Sequence, residues 1–153
     1  MRKISLNLKT APTIKEIFRF QPSIALKCPL IGTEIPAGFP SPAQDYIEEN
    51  LDLNKFLIDH PTATYFVKVE GYSMVDAGIN PGDILIVDRA AEPIHKKVVI
   101  AIVDGELTVK RLRADKGRWF LVPDNPEFEP IEITKDMNFQ IWGVVTYAIH
   151  KMK

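Results

Sequence analysis

Cysteine is almost missing from this chain. Cys28 stands alone among 153 residues, so no intramolecular disulfide can form, which fits a reducing compartment. Long apolar runs are missing too; none approaches the roughly 18–20 residues that a bilayer-spanning helix needs. The opening Met1-Arg2-Lys3-Ile4-Ser5 has a basic pair but no apolar stretch behind it, so it does not read as a signal peptide. The expected location is the cytoplasm, without membrane contact. Neither sign of charge is in excess: 19 basic and 20 acidic residues leave a formal net charge of -1. That balance gives no general attraction to DNA or to anionic lipid. Histidine is scarce, with only His60, His95 and His150. Three scattered histidines and one cysteine make a poor zinc site.

What is present is an ordinary globular composition, 46% hydrophobic and 25% charged, in a chain long enough for one domain with a proper core. Residues 1–40 read as an arm, rich in Pro, Lys and Thr and without sustained periodicity. Thr13 and Glu16 have the spacing of a capping box ahead of Ile17, Phe18 and Phe20, which predicts one short helix. Pro22, Pro29, Pro36 and Pro40, with Gly32 and Gly38, favour extended, exposed backbone over 21–40. Ser41 as N-cap and Pro42 as first helical residue predict a helix near 42–50, and Asp52 starts another through Leu53, Phe56 and Leu57.

The pattern then changes to strands. Thr64–Glu70 is rich in β-formers, and Ile84–Val87 and Val98–Val103 are apolar runs of strand length. Asn80-Pro81-Gly82-Asp83 places Pro and Gly for a type II turn. Asp104-Gly105 between Val103 and Leu107 is a hairpin signal. Trp119–Val122 and Phe139–Ile149 add strands. Many short strands, little helix and no βαβ rhythm predict a mostly β, compact antiparallel domain behind a flexible N-terminal arm. No repeat or low-complexity tract interrupts it.

Candidate chemistry centres on Gly71-Tyr72-Ser73-Met74, which follows a strand. A serine at a strand end is well placed for attack, but taken alone it is ordinarily a loop-capping residue. A serine nucleophile needs a partner to take its proton. None of the three histidines has an evident aspartate partner in the sequence, so a Ser-His-Asp triad is poorly supported. A lysine can serve instead when burial lowers its pKa. Lys110 lies in Leu107–Leu112, on the strand face of Thr108 and Leu112, opposite Leu107 and Val109. The alternation does not say which face is buried, and a strand lysine is ordinarily solvated.

Several strings, taken in order, resemble one known family, the LexA/UmuD-type self-cleaving serine peptidases. Gly38–Tyr46 is similar to the segment that opens the processed form of the UmuD branch. Leu51–Asn54 and His60–Lys68 continue the likeness. Gly71–Met74 resembles the nucleophile segment, Gly82–Asp88 follows at the family's distance, and Asp104–Leu112 resembles the strand of the catalytic lysine. Gly143-Val144-Val145 resembles the closing strand, so the likeness spans roughly 37–147. The resemblance implies Ser73 as nucleophile, Lys110 as general base, and an oxyanion site of the Ser73 and Tyr72 backbone N–H groups. It implies a scissile Ala37–Gly38 bond, within the family's range of a small residue before glycine, and a reaction that needs no metal and no cofactor. Residues 1–37 would be the arm removed by self-cleavage, and 38–153 the peptidase and dimerisation domain.

A repressor of this family carries a helix-turn-helix domain before its cleavage site. The 37 residues before Gly38 lack two amphipathic helices joined by a turn. Direct sequence-specific DNA binding is therefore not expected, and the UmuD branch is favoured. That branch implies self-cleavage promoted by a RecA–single-stranded DNA filament. It further implies a processed homodimer that joins a UmuC-type Y-family DNA polymerase in translesion synthesis during the SOS response to DNA damage. Rival readings are a signal peptidase, which needs a membrane anchor, a non-catalytic interaction module with a vestigial dyad, and a LexA-like regulator lacking its DNA-binding domain.

Overall fold

The computed structural model describes residues 2–4, 14–20, 27–31 and 47–153. They fall into two units, one within residues 1–21 and 60–153, the other within 22–59. The larger unit is built on a nine-stranded antiparallel sheet. Its strands are β1 (Arg2–Ile4), β2 (Ile14–Arg19), β5 (Thr64–Val69), β6 (Ile84–Asp88), β7 (Val98–Val103), β8 (Glu106–Asp115), β9 (Arg118–Val122), β10 (Ile131–Ile133) and β11 (Phe139–Ile149). Across the sheet the order is β1-β2-β5-β6-β11-β7-β8-β9-β10. The smaller unit pairs β3 (Lys27–Ile31) with β4 (Ile47–Asp52) and carries the helix α1 (Leu53–Leu57). Asp52 caps that helix by accepting from the Asn54 N–H at 3.0 Å, as its sequence position predicts.

The strand expectations from Thr64 onward hold, and so do the turns. Gly82 takes φ 90°, and the Asp83 N–H reaches the Asn80 carbonyl at 3.1 Å, closing the turn that Pro81-Gly82 predicts. Asp104 and Gly105 both have positive φ, 49° and 84°, the conformation of a two-residue hairpin that follows the twist of its strands. That turn sets the β7–β8 register, with Lys110 opposite Val99 and Val109 opposite Ile100.

Two helix expectations fail. Of the capping-box segment, Thr13 lies outside the described residues and Ile14–Arg19 is strand β2, paired on both sides by β1 and β5. An irregularity between Ile14 and Glu16 lets one extra residue into β2, so Ile14 and Ile17, three apart, both turn inward, 2% and 3% exposed. A helix of so few residues is marginal in water, while two flanking strands offer a full ladder. Of the helix expected at 42–50, residues 42–46 lie outside the described ones, and 47–50 belong to β4, held by pairing to β3. Residues 1–40, read as an arm with one short helix, thus hold three strands among their described residues.

The sheet curls around its own core. Ile14 and Ile17 of β2, Val67 and Val69 of β5, Leu85 and Val87 of β6, Ile100 of β7, and Leu107 and Val109 of β8 pack in one cluster. Val99 and Ala101, alternate to Ile100 on β7, join Leu112, Leu121 and Val144 in a second cluster. β7 is buried on both faces, which is why Val98–Val103 is apolar without alternation. β11 packs close to β6 at Gly143, where a Cβ would lie 2.6 Å from Val87 Cγ1. These layers bring the end of β5 and the middle of β8 to one place.

Candidate active site

β5 ends at Val69, and Gly71 follows with φ 91°, a conformation that favours glycine. The chain then turns through Tyr72 and Ser73 into a single 3-10 turn, Val75–Ala77, closed by Gly78 with φ 81°. Met74 anchors this turn, its side chain 3% exposed in the main core cluster. Ser73, beside it, is 4% exposed.

Lys110 reaches the same point from β8, 37 residues further along the chain. Its amine lies 3.2 Å from Ser73 Oγ, 2.8 Å from Thr108 Oγ1 and 3.0 Å from the Val109 carbonyl oxygen. Lys110 is itself buried, at 8% exposure. Among the described residues no carboxylate pairs with it. Burial therefore pushes its pKa below the usual lysine range, with desolvation of the ammonium as the cause. The three partners suit the neutral amine. Two N–H groups donate to Thr108 Oγ1 and the Val109 carbonyl, and the lone pair is left for the Ser73 hydroxyl proton. Such an arrangement can move a proton from serine to lysine without a histidine. Thr108 thus joins Ser73 and Lys110 in this group, a third side chain that no motif in the sequence singles out. Its strand position two before Lys110 was the available signal.

The histidines have partners that the sequence did not show. His60 Nδ1 lies 2.6 Å from Asp88 Oδ2, and His150 Nδ1 lies 2.6 Å from Asp83 Oδ1. Both aspartates are buried, 4% and 2% exposed, so two histidines do have aspartate partners. These pairs are structural ties between distant segments; the side-chain partner of Ser73 is Lys110. His95 Nδ1 accepts from the Ala114 N–H at 2.9 Å.

A further group surrounds the Ser73 turn. Asp124 accepts the Arg111 guanidinium through both carboxylate oxygens, and Arg111 adjoins Lys110 on β8. The Asp124 carbonyl accepts from the Asp76 N–H at 2.9 Å, and the Asn125 amide donates to the Tyr72 carbonyl at 2.8 Å. One loop after β9 thus ties down both sides of the serine turn. Ala37 and Gly38, the expected scissile pair, lie outside the described residues. No helix among the described residues is long and apolar enough to cross a membrane.

Comparison with known proteins identifies the setting of this geometry. The sequence model of the Peptidase S24-like family matches residues 29–146. Protein SamA of Salmonella typhimurium is 47% identical over 133 residues, 87% of this chain and 92% of SamA. Protein ImpA of Escherichia coli is 48% identical over 127 residues, 82% of this chain and 85% of ImpA. The LexA repressor of Bordetella parapertussis is 40% identical over 124 residues, 81% of this chain and 56% of the repressor. Ser73, Lys110 and the turn between them lie inside the matched span, and the fold is the mostly antiparallel β architecture that the resemblance implied. The chain belongs to the Peptidase S24-like family and is a serine peptidase of the LexA/UmuD type.

Proposed function

We propose that this peptidase cuts itself once, between Ala37 and Gly38, with Ser73 as nucleophile and Lys110 as general base. The observation that carries the reading is the buried 3.2 Å approach of Ser73 Oγ to an amine that has no described carboxylate to keep it charged. Ser73 Oγ attacks the Ala37 carbonyl carbon as its proton passes to neutral Lys110. The backbone N–H groups of Ser73 and Tyr72 hold the oxyanion. The peptide C–N bond then breaks, and the lysine ammonium protonates the departing Gly38 nitrogen. Water, giving its proton to Lys110, hydrolyses the ester of Ala37 on Ser73, and the proton returns to the serine oxygen. The substrate is tethered to its catalyst, so encounter does not limit the rate. Residues 1–37 leave as an arm, and 38–153 remain as the working domain.

The two small residues at the bond, between Pro36 and Phe39, suit a narrow cleft, and Ala37–Gly38 keeps the family's small-then-glycine pattern. Control follows from the need for a docked arm. A partner that stabilises the docked state raises the rate by shifting a population, without new chemistry. By family membership that partner is a RecA–single-stranded DNA filament. The shortened chain, as a homodimer in the cytoplasm, serves a UmuC-type Y-family polymerase in SOS mutagenesis.

The pH dependence of spontaneous cleavage tests the base. Lys110 acts only when neutral, and its folded pKa lies below the ordinary lysine range. The cationic form dominates below that pKa, so the rate should rise about tenfold per pH unit and level off as pH passes through it. The plateau should begin below the range of an exposed lysine. A rate independent of pH, read from the decay of the intact mass, would exclude a lysine base.

A further inference from the structure

An oxyanion donor is effective only if it is aimed before the charge appears. The Ser73 N–H belongs to the peptide joining Tyr72 to Ser73. That peptide is planar and trans, so its carbonyl and its N–H point in opposite directions. Whatever holds the Tyr72 carbonyl therefore aims the Ser73 N–H.

The Tyr72 carbonyl accepts from Asn125 Nδ2 at 2.8 Å. Its other partner, the Val75 N–H, is at 3.4 Å, beyond the usual range of such bonds. The Asn125 amide is itself oriented. Its Oδ1 accepts from the Glu127 N–H at 2.9 Å, so its NH₂ has to face Tyr72. The flipped amide would set oxygen against a carbonyl and NH₂ against an N–H. The loop beneath is held in turn, because Asp124 binds the Asp76 N–H and the Arg111 guanidinium. The Asp124 N–H also lies 3.3 Å from Met74 Sδ. Asn125 is thus fixed to the serine turn and, through Asp124 and Arg111, to the strand that carries Lys110.

We propose that Asn125 is a positioning residue for the oxyanion site, its side-chain amide holding the Tyr72 carbonyl so that the Ser73 N–H points at the developing charge. The inference rests on the Ser73–Lys110 reading above. It requires no contact of Asn125 with the substrate.

Two variants separate the relevant bond from the loop. Asn125→Asp keeps an acceptor for the Glu127 N–H and replaces the donor to Tyr72; Asn125→Ala removes both. Self-cleavage of each full-length variant should slow by about 10- to 100-fold, short of the roughly 100- to 1,000-fold that follows loss of an oxyanion donor itself. In the uncharged Asn125→Ala variant the plateau of the pH–rate profile should fall while its midpoint stays, because the burial of Lys110 is unchanged. A second readout removes the oxyanion altogether. In a Ser73→Cys background, iodoacetamide alkylates the thiolate; sulfur displaces iodide from carbon and the thiol proton goes to Lys110. Adding Asn125→Ala should leave that alkylation rate within about twofold, since no oxyanion forms. Cleavage within about twofold of wild type in both variants would overturn the proposal. So would alkylation that falls in step with cleavage, or a shifted midpoint, which would mark a merely structural residue. A Ser73→Ala control that still cleaves would bring down the dyad reading, and this inference with it.

Discussion

Ser73→Ala and Lys110→Ala should each slow self-cleavage by at least about a thousandfold while leaving the β domain folded. Nucleophile and base act as one unit, so the double variant should be no slower than either single one. Lys110→Arg is the sharper case. It keeps a long cationic side chain but cannot shed its proton at any accessible pH. It should be as inactive as Lys110→Ala if the lysine acts as a base, and partly active if only positive charge is needed. Stability should move the other way. A buried amine without a described carboxylate partner is a liability to the fold, so removing it costs little packing and relieves desolvation. Cys28→Ala should leave cleavage unchanged. Gel bands of intact and shortened chain, followed over time, read the cleavage outcomes, and thermal denaturation followed by circular dichroism reads fold and stability.

The second large effect concerns what cleavage is for. A chain that starts at Gly38 and carries Ser73→Ala should support damage-induced mutagenesis in cells, whereas full-length Ser73→Ala should not. The truncated variant needs neither nucleophile nor docked arm, because removal of residues 1–37 is already done. The difference should be close to all-or-none, as for a switch. A truncated Ser73→Ala protein that is folded and dimeric yet inactive in mutagenesis would sink the proposed role, leaving the peptidase chemistry untouched.

The strands were legible where local signals agree with packing. Val98–Val103 is apolar throughout because β7 is covered on both faces, and Asp104-Gly105 adopts the hairpin that its residues favour. Misreadings fall where pairing at a distance decides. Thr13 and Glu16 do have capping-box spacing, yet β1 and β5 claim the segment between them, and a single inserted residue re-aims Ile17 into the core. Ser41-Pro42 predicted a helix reaching residue 50, and pairing with β3 turns its second half into β4. The site was legible in its residue types only through family resemblance. Alternation put Lys110 on the face of Thr108 and Leu112 but could not say that this face is buried, since the covering atoms come from a turn 37 residues away. The His60–Asp88 and His150–Asp83 pairs span 28 and 67 residues, and no local spacing announces them. Asn125 was invisible for the same reason: its partner, the Tyr72 carbonyl, is 53 residues distant and is backbone.

The central claim is that this chain cuts itself at one bond with Ser73. The most direct test is the intact mass and N-terminal sequence of the purified full-length protein after incubation at mildly alkaline pH, beside Ser73→Ala under the same conditions. The account predicts a product that begins at Gly38 and holds 116 residues, the 153 of the chain less the 37 removed, with the variant unchanged. A product with another first residue, or the same product from Ser73→Ala, would contradict it.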